Sequence, residues 1–366
     1  MKRTLILALM AGLLLAGLAQ VGWAAPGDAS GQALQWLATQ QNTDGGFSNG
    51  FSPESNIGAT ADAIIAIASA GQDASTWQKG GASPLDYLAA QVKAGNVKGA
   101  GLLAKVTLAA VATGQDPRGF GSTDLIAAIQ ADFKKDTNIY GSSLFDHALA
   151  LLALANAGQS LPDAAVTALV NSQAEDGAWS FSGDKTPGAG DTNTTALAVQ
   201  ALVAANRRDP VAKALDYFKK VQNPDGGFTY QKPSQFGEDT DANSTALVIQ
   251  ALIAAGEKLE AWAVDGKDPL AALLALQRPS GAFSFNAKQA DENVLATLQA
   301  LPALNGVTFV QVRQVKAAKT PTAAPVTLPA AGGQAIANDR WLTLAGGGLA
   351  LVGAGVALRR RAKAKA

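Results

Sequence analysis

The stretch "QNPDGGF", Gln222–Phe228, constrains this chain most, because it returns. It reads "QNTDGGF" at Gln41–Phe47, "QAEDGAW" at Gln173–Trp179 and "QRPSGAF" at Gln277–Phe283. Self-similarity at a period of tens of residues marks a repeat architecture, so the repeat unit comes before any single motif. Two kinds of helical segment alternate around these copies. One is amphipathic and ends in glutamine, at Gln41, Gln91, Gln130, Gln173, Gln222 and Gln277. The other is Ala-rich and apolar nearly all round, as in "TTALAVQALVAAN" and "STALVIQALIAAG", and ends in Gly or Asn, good left-handed caps. A helix apolar on every face is buried, and one with a polar face lies outside. Six outer and six inner helices are therefore expected in strict alternation. Hairpins of this kind must bury their faces on their neighbours. Closure into a ring is the simplest way to remove exposed ends, with an open solenoid as the alternative.

The recurring turn has three readings: a metal loop, a sugar-binding loop or scaffold. A calcium loop needs about six oxygens at fixed spacing, and each copy offers one or two carboxylates. Asp-Gly-Gly supplies a tight turn with a positive-φ position. Glutamine can bond the exposed backbone at the helix end, and the aromatic can fill the seam between hairpins. The turn reads as a staple.

The pattern Gln-x-x-x-Gly-x-aromatic, at Gln41/Gly45/Phe47, Gln173/Gly177/Trp179, Gln222/Gly226/Phe228 and Gln277/Gly281/Phe283, resembles the repeat of the terpenoid cyclase and protein prenyltransferase superfamily. The resemblance covers about residues 30–305; Gln91 and Gln130 lack the full pattern. It implies an all-α fold, an α/α toroid of six helical hairpins, with the toroid domain at residues 26–306.

In such a ring every outer-to-inner link lies on one rim, with the N-termini of the inner helices. Two of these links are long, "AEDGAWSFSGDKTPGAGDTN" and "NPDGGFTYQKPSQFGEDTDAN", and long loops on a rigid scaffold are where binding surfaces usually sit. The inner helices open on Asp, Asn, Ser and Thr: Asp62, Asp146 with His147, Asp191-Thr-Asn193-Thr-Thr195 and Asp241-Ala-Asn243-Ser-Thr245. Each could be an N-cap that any helix wants. Their number and convergence on one mouth make them candidate ligand-binding residues. His147 reads as a buried structural histidine, or as a rim ligand or acid/base group.

The resemblance also implies what to look for in an enzyme. In class II terpene cyclases an Asp-x-Asp-Asp-Thr-Ala motif opens an inner helix, and its middle Asp supplies a proton. Aligned on Thr-Ala, that position is Asn243 in one copy and Asn193 in the other, and Asn supplies no proton. A second register, Asp239-Thr-Asp241, restores the acid and loses Thr-Ala, so Asp239 and Asp241 stay as catalytic candidates. The chain has no cysteine and one histidine. A Cys-ligated prenyltransferase zinc and the superfamily's thioester chemistry are excluded, and so are sites needing several His ligands. The polar openings look like those of the cobalamin carriers related to intrinsic factor and transcobalamin, which bind without reacting. The favoured expectation is a toroid binding a small polar or amphipathic ligand, corrinoid- or isoprenoid-like, or a surface partner. No resident cofactor or metal is expected. A terpenoid-cyclase-like or polysaccharide-acting enzyme and a structural surface module stay as alternatives. Net charge is zero and no basic stripe points to nucleic acid.

The ends set the expected location. Residues 1–25 run basic, apolar, then small, as a secretory signal peptide does. Residues 307–340 hold an alternating "VTFVQVRQV" (Val307–Val315) and an Ala/Pro/Thr-rich linker. Trp341–Leu358 is uncharged and apolar, long enough for a thin crossing as a transmembrane helix, with the basic tail 359–366 kept cytoplasmic. "LPAAGG", with Leu328, Pro329 and Gly332, resembles a sortase cell-wall sorting signal in which Ala331 stands where that signal has Thr. The expected location is extracytoplasmic, tethered to membrane or wall.

Overall fold

The computed structural model describes residues 26–235 and 237–315. Among these are twelve α-helices in the expected alternation. The outer helices are α1 (Pro26–Gln40), α3 (Pro84–Lys93), α5 (Leu125–Ala131), α7 (Asp163–Asn171), α9 (Asp209–Val221) and α11 (Pro269–Leu274). The inner helices are α2 (Ile57–Ser69), α4 (Ala100–Ala112), α6 (Leu144–Asn156), α8 (Thr192–Ala204), α10 (Ala242–Ala255) and α12 (Val294–Leu304). Each inner helix packs on the next, and α12 packs back on α2, so the ring is closed and the fold is an α/α toroid. The open solenoid is set aside. Between repeats, the two-residue strands β1 (Phe133–Lys134) and β2 (Ile139–Tyr140) pair antiparallel, as do β3 (Phe283–Ser284) and β4 (Glu292–Asn293).

Local chemistry places the helices. Asp191, Asp241 and Asn293 each accept a backbone N–H from three residues ahead, an N-cap that satisfies one free donor of the first turn. The inner helices bury nearly every residue, and their many alanines let six helices crowd round one axis. Outer helix α9 buries Val211, Ala214, Tyr217, Phe218 and Val221, one stripe at helical spacing, and leaves its lysines outside. Phe218 meets Phe228 of the staple edge-on, with ring centroids 6.0 Å apart.

The staple is built identically four times. Gln41 Nε2 donates to the carbonyls of Gly45 and Trp77. Gln173 donates to Gly177 and Pro210, Gln222 to Gly226 and Trp262, and Gln277 to Gly281 and Ala29. In every copy one bond closes the turn and the other crosses to the next repeat, to the first turn of the outer helix at Pro210 and Ala29 and to the short turn that precedes it at Trp77 and Trp262. The staple glycine has φ between +87° and +95°, and a Cβ there would strike the backbone of the neighbouring repeat, at Ser83, Lys213, Lys267 and Gln32 in turn. The aromatic that follows, Phe47, Trp179, Phe228 or Phe283, has no exposure.

The segment Val307–Val315 forms no ladder, despite its strand-like alternation; Thr308 and Gln311 make one isolated bridge. It runs across the C-terminal ends of the inner helices. Arg313 Nη1 donates to Ser69 O at the end of α2, and Val315 N to Ala112 O at the end of α4. Asn156, ending α6, donates to Phe309 O and accepts from Val312 N. No helix among the described residues is long and apolar enough to cross a membrane. The expected leader 1–25, the "LPAAGG" segment and the span Trp341–Leu358 lie outside the described residues.

Candidate ligand site at the N-terminal mouth of the inner ring

All six inner helices contribute to one crevice on the ring axis. Its free volume is about 40 Å³, or about 440 Å³ counted with its open mouth. Ile65, Leu149, Leu197, Leu247 and Leu298 make the wall, and Phe309 of the crossing tail fills the bottom. Three polar elements interrupt this apolar lining. Asp62 of α2 is paired with Lys105 of α4 at 2.8 Å, with the two side chains 9% and 24% exposed. Across the axis, Asn243 Nδ2 donates to Gln299 Oε1 at 2.8 Å. Gln250, two turns below Asn243 and 1% exposed, faces the crevice. The Oε1 of Gln250 and the Oδ1 of Asn243 are buried without a hydrogen-bond partner, the kind of group native interiors rarely leave unsatisfied.

The sequence candidates divide between crevice and seam. Asp62 lines the crevice, and Asn243 bonds a residue that does. Asn193, half-buried, holds the same place on α8. The others are corrected by their contacts. Thr195 Oγ1 accepts the backbone N–H of Trp179, and Thr245 Oγ1 that of Phe228; Thr60 and Thr297 do the same for Phe47 and Phe283. These threonines are the inner half of the staple. Asp191, 2% exposed, accepts from Thr194 N and Phe181 N. Asp241, 3% exposed, accepts from Ser244 N. Burial pushes both carboxyls up to about 6, against the N–H groups that favour the charged form. Neither lines the crevice. Asp239 is exposed and paired with Lys288 at 2.7 Å. Asp146 packs against Gly101 in the α4/α6 seam.

His147 is not a rim ligand. Its Nδ1 accepts from Tyr140 N and its Nε2 donates to Ala165 O, both at 3.0 Å, so both ring nitrogens are committed to backbone. The side chain has no exposure, and burial pushes its pKa down to about 4. No group of three or more His, Asp or Glu among the described residues could hold a metal ion.

The mouth carries a feature that the sequence reading missed. Two residues after the staple aromatic stand Phe181, Tyr230 and Phe285. The carbonyl of each accepts the N–H of the first residue of the preceding inner helix: Leu144 to Phe181, Thr192 to Tyr230, Ala242 to Phe285. These bonds bring the backbone of three aromatic residues in succession to the N-termini of α6, α8 and α10. Phe181 is 52% exposed and Tyr230 44%, and Phe181 packs on Phe145 of the crevice wall at 6.3 Å. The signal was the aromatic-x-aromatic spelling "WSF", "FTY" and "FSF".

The arrangement has the anatomy of a binding pocket: apolar walls, a few fixed polar groups and an exposed aromatic edge. Among the described residues the acid lining it is Asp62, which is paired with Lys105. The family model described as eukaryotic cobalamin-binding protein matches residues 52–332. Solved structures with a similar fold include the type II terpene cyclase MstE from Scytonema, at 14% identity and TM-score 0.55, covering 77% of this chain and 98% of that one. An unsaturated glucuronyl hydrolase specific for heparin is similar at 14% identity and TM-score 0.56, covering 78% and 97%. Haptocorrin in complex with Cbi is similar at 16% identity and TM-score 0.51, covering 79% and 69%. At these identities the likeness is one of fold. No curated protein sequence matches the chain.

Proposed function

The chain belongs to the eukaryotic cobalamin-binding protein family, and from that premise we propose that it binds a corrinoid at the N-terminal mouth of the inner ring and releases it unchanged. One observation carries this reading: the fate of the two Asp-x-Asn-Ser/Thr-Thr-Ala openings. Their acids are spent as N-caps in the seams, their threonines as staple acceptors, and Asn243 is turned to the crevice side. What reaches the ligand is amide, ion pair and aromatic, which suits holding a large amphipathic molecule. Alkene protonation needs a carboxylic acid poised over the substrate, and the acid at the crevice wall, Asp62, is engaged by the Lys105 ammonium.

The basic-apolar leader and the apolar, basic-ended tail are the features that support a reading in which the chain is exported and tethered to membrane or wall, with its corrinoid-binding face outside the cytoplasm.

Equilibrium dialysis of the purified chain against cyanocobalamin and dicyanocobinamide tests the assignment. Saturable binding with the corrinoid recovered intact is expected. Absence of binding to both, or a cyclised product from an isoprenoid substrate, would overturn it.

A further inference from the structure

Two glutamines occupy the same place in successive inner helices: Gln200 in "TTALAVQAL" and Gln250 in "STALVIQAL". Both are fully buried. Gln200 Oε1 accepts the backbone N–H of Phe309 at 2.8 Å. Asn156, ending α6, donates to the Phe309 carbonyl at 2.8 Å and accepts from Val312 N at 3.0 Å. The middle of the crossing tail is thus held on its main chain by side-chain amides of α6 and α8. On α10 the matching acceptor is free, since Gln250 Oε1 is buried without a partner. One turn beyond Gln250, Ile253 and Ala254 form one wall of an open groove of about 630 Å³. The tail itself is the other wall, through Thr308, Val310 and Gln311 among others. Phe309 is turned the other way, into the crevice. The floor of the crevice is therefore one residue thick. On its α10 side the tail has both room and a vacant acceptor of the kind it uses on α8.

We propose that the stretch Thr308–Val312 is a floor with two positions. In the position observed, the Phe309 N–H lies on Gln200 and the Phe309 ring plugs the crevice. In the second, that N–H passes to Gln250, the tail shifts into the groove beside α10, and the ring leaves the axis. The crevice then opens towards the far rim. Each position joins one backbone N–H to one of two equivalent glutamine oxygens and leaves the other oxygen unpaired. Interiors rarely leave such a group unmade, and one donor shared between two acceptors is what a two-position element needs. The motion is confined to the middle of the tail, because Val307 N is held by Pro302 O, Arg313 Nη1 by Ser69 O and Val315 N by Ala112 O. An occupant that reaches the crevice floor takes the place of Phe309, so it favours the second position, and by linkage the second position favours such an occupant. The inference concerns the far end of the ring and stands apart from the identity of the ligand at the mouth.

The chain has no cysteine, so one introduced thiol reports alone. Val312→Cys places it in the tail at a site 2% exposed, and Leu202→Cys places a reference in α8 at a site with no exposure. Labelling of the full chain by iodoacetamide under native conditions should be at least tenfold faster at the tail thiol than at the reference. Adding Gln200→Leu, which removes the bond of the observed position, should speed the tail thiol about tenfold. Adding Gln250→Leu, which removes the acceptor of the second position, should slow it. The reference rate should stay the same in both. Asn156→Ala is a second way to loosen the observed position if Gln200→Leu does not fold. Equal rates at the two thiols, or Gln250→Leu leaving the tail rate unchanged or raising it, would overturn the two-position floor. So would any change shared equally by the reference, which reports the whole fold rather than the tail.

Discussion

The side-chain amide of Gln277 donates to the carbonyl of Ala29, 248 residues earlier in the chain, at 2.8 Å. It is the last of four staples and the one that joins the final repeat to the first. Asn305, at the end of α12, bonds Ser69 at the end of α2 on the inner side of the same junction. The chain thus closes its ring with the bonding it uses at three of its other seams.

Removing that bond measures closure. Gln277→Leu removes the bonds to the carbonyls of Ala29 and Gly281 and should cost about 1–3 kcal/mol, a loss of several degrees in Tm. Thermal unfolding followed by circular dichroism reads it. A variant as stable as the parent would show that packing alone closes the ring.

The staple glycine is expected to be intolerant where an ordinary turn glycine is not. At Gly226, with φ +87°, an added Cβ meets the Lys267 carbonyl; at Gly50, with φ +82°, it meets nothing within 4 Å. Gly50→Ala should cost about 1–2 kcal/mol of backbone strain. Gly226→Ala should cost that plus the parting of two repeats, and chemical denaturation of the two variants separates the contributions.

Most of this architecture was legible before any coordinates. Helix type followed from apolar periodicity, and four in-register copies of Gln-x-x-x-Gly-x-aromatic identified the staple, because both signals are local. The site was less legible. Whether Thr195 faces a seam or the axis depends on the rotation of α8 about its own axis, which a cap motif does not fix. The clue was present: Thr60, Thr195, Thr245 and Thr297 recur with the staple aromatics. Gln250 and Lys105 carried a different clue, a polar residue inside an otherwise apolar inner helix. Phe309 had no local signal, since its role depends on a tail crossing the ring.

Asp191 and Asp241 should make the fold less stable as pH rises from about 4 to 6. Their folded pKa of about 6 lies above the unfolded 3.8, so in this window the native state holds protons that the unfolded chain releases. Each shift corresponds to something on the order of 3 kcal/mol. His147 acts in the opposite sense: its folded pKa of about 4 lies below 6.5, and stability rises with pH between these values. The double variant Asp191→Asn, Asp241→Asn retains cap-forming residues. Its stability should climb relative to the wild type from pH 4 to 6, as read by urea midpoints across that range. Parallel curves would refute the burial-driven shifts.

His147→Gln should lower stability by about 2–4 kcal/mol, because at least one of the groups at Tyr140 N and Ala165 O loses its partner in the interior. The visible spectrum of bound cobinamide should not change, since the ring is walled off from the mouth. A spectral shift at the cobalt would return His147 to the ligand sphere.

A ring of hairpins is an elastic hoop in which each unit knows its two neighbours and nothing beyond them. The tail from Val307 to Val315 turns that hoop into a wheel with a hub: Ser69, Ala112, Asn156 and Gln200, on four different spokes, are tied to one strip of chain. A seam that begins to gape at the mouth must therefore pull on helices across the diameter. Fluctuation at one repeat becomes strain shared by all, and the diameter of the opening becomes a property of the whole wheel.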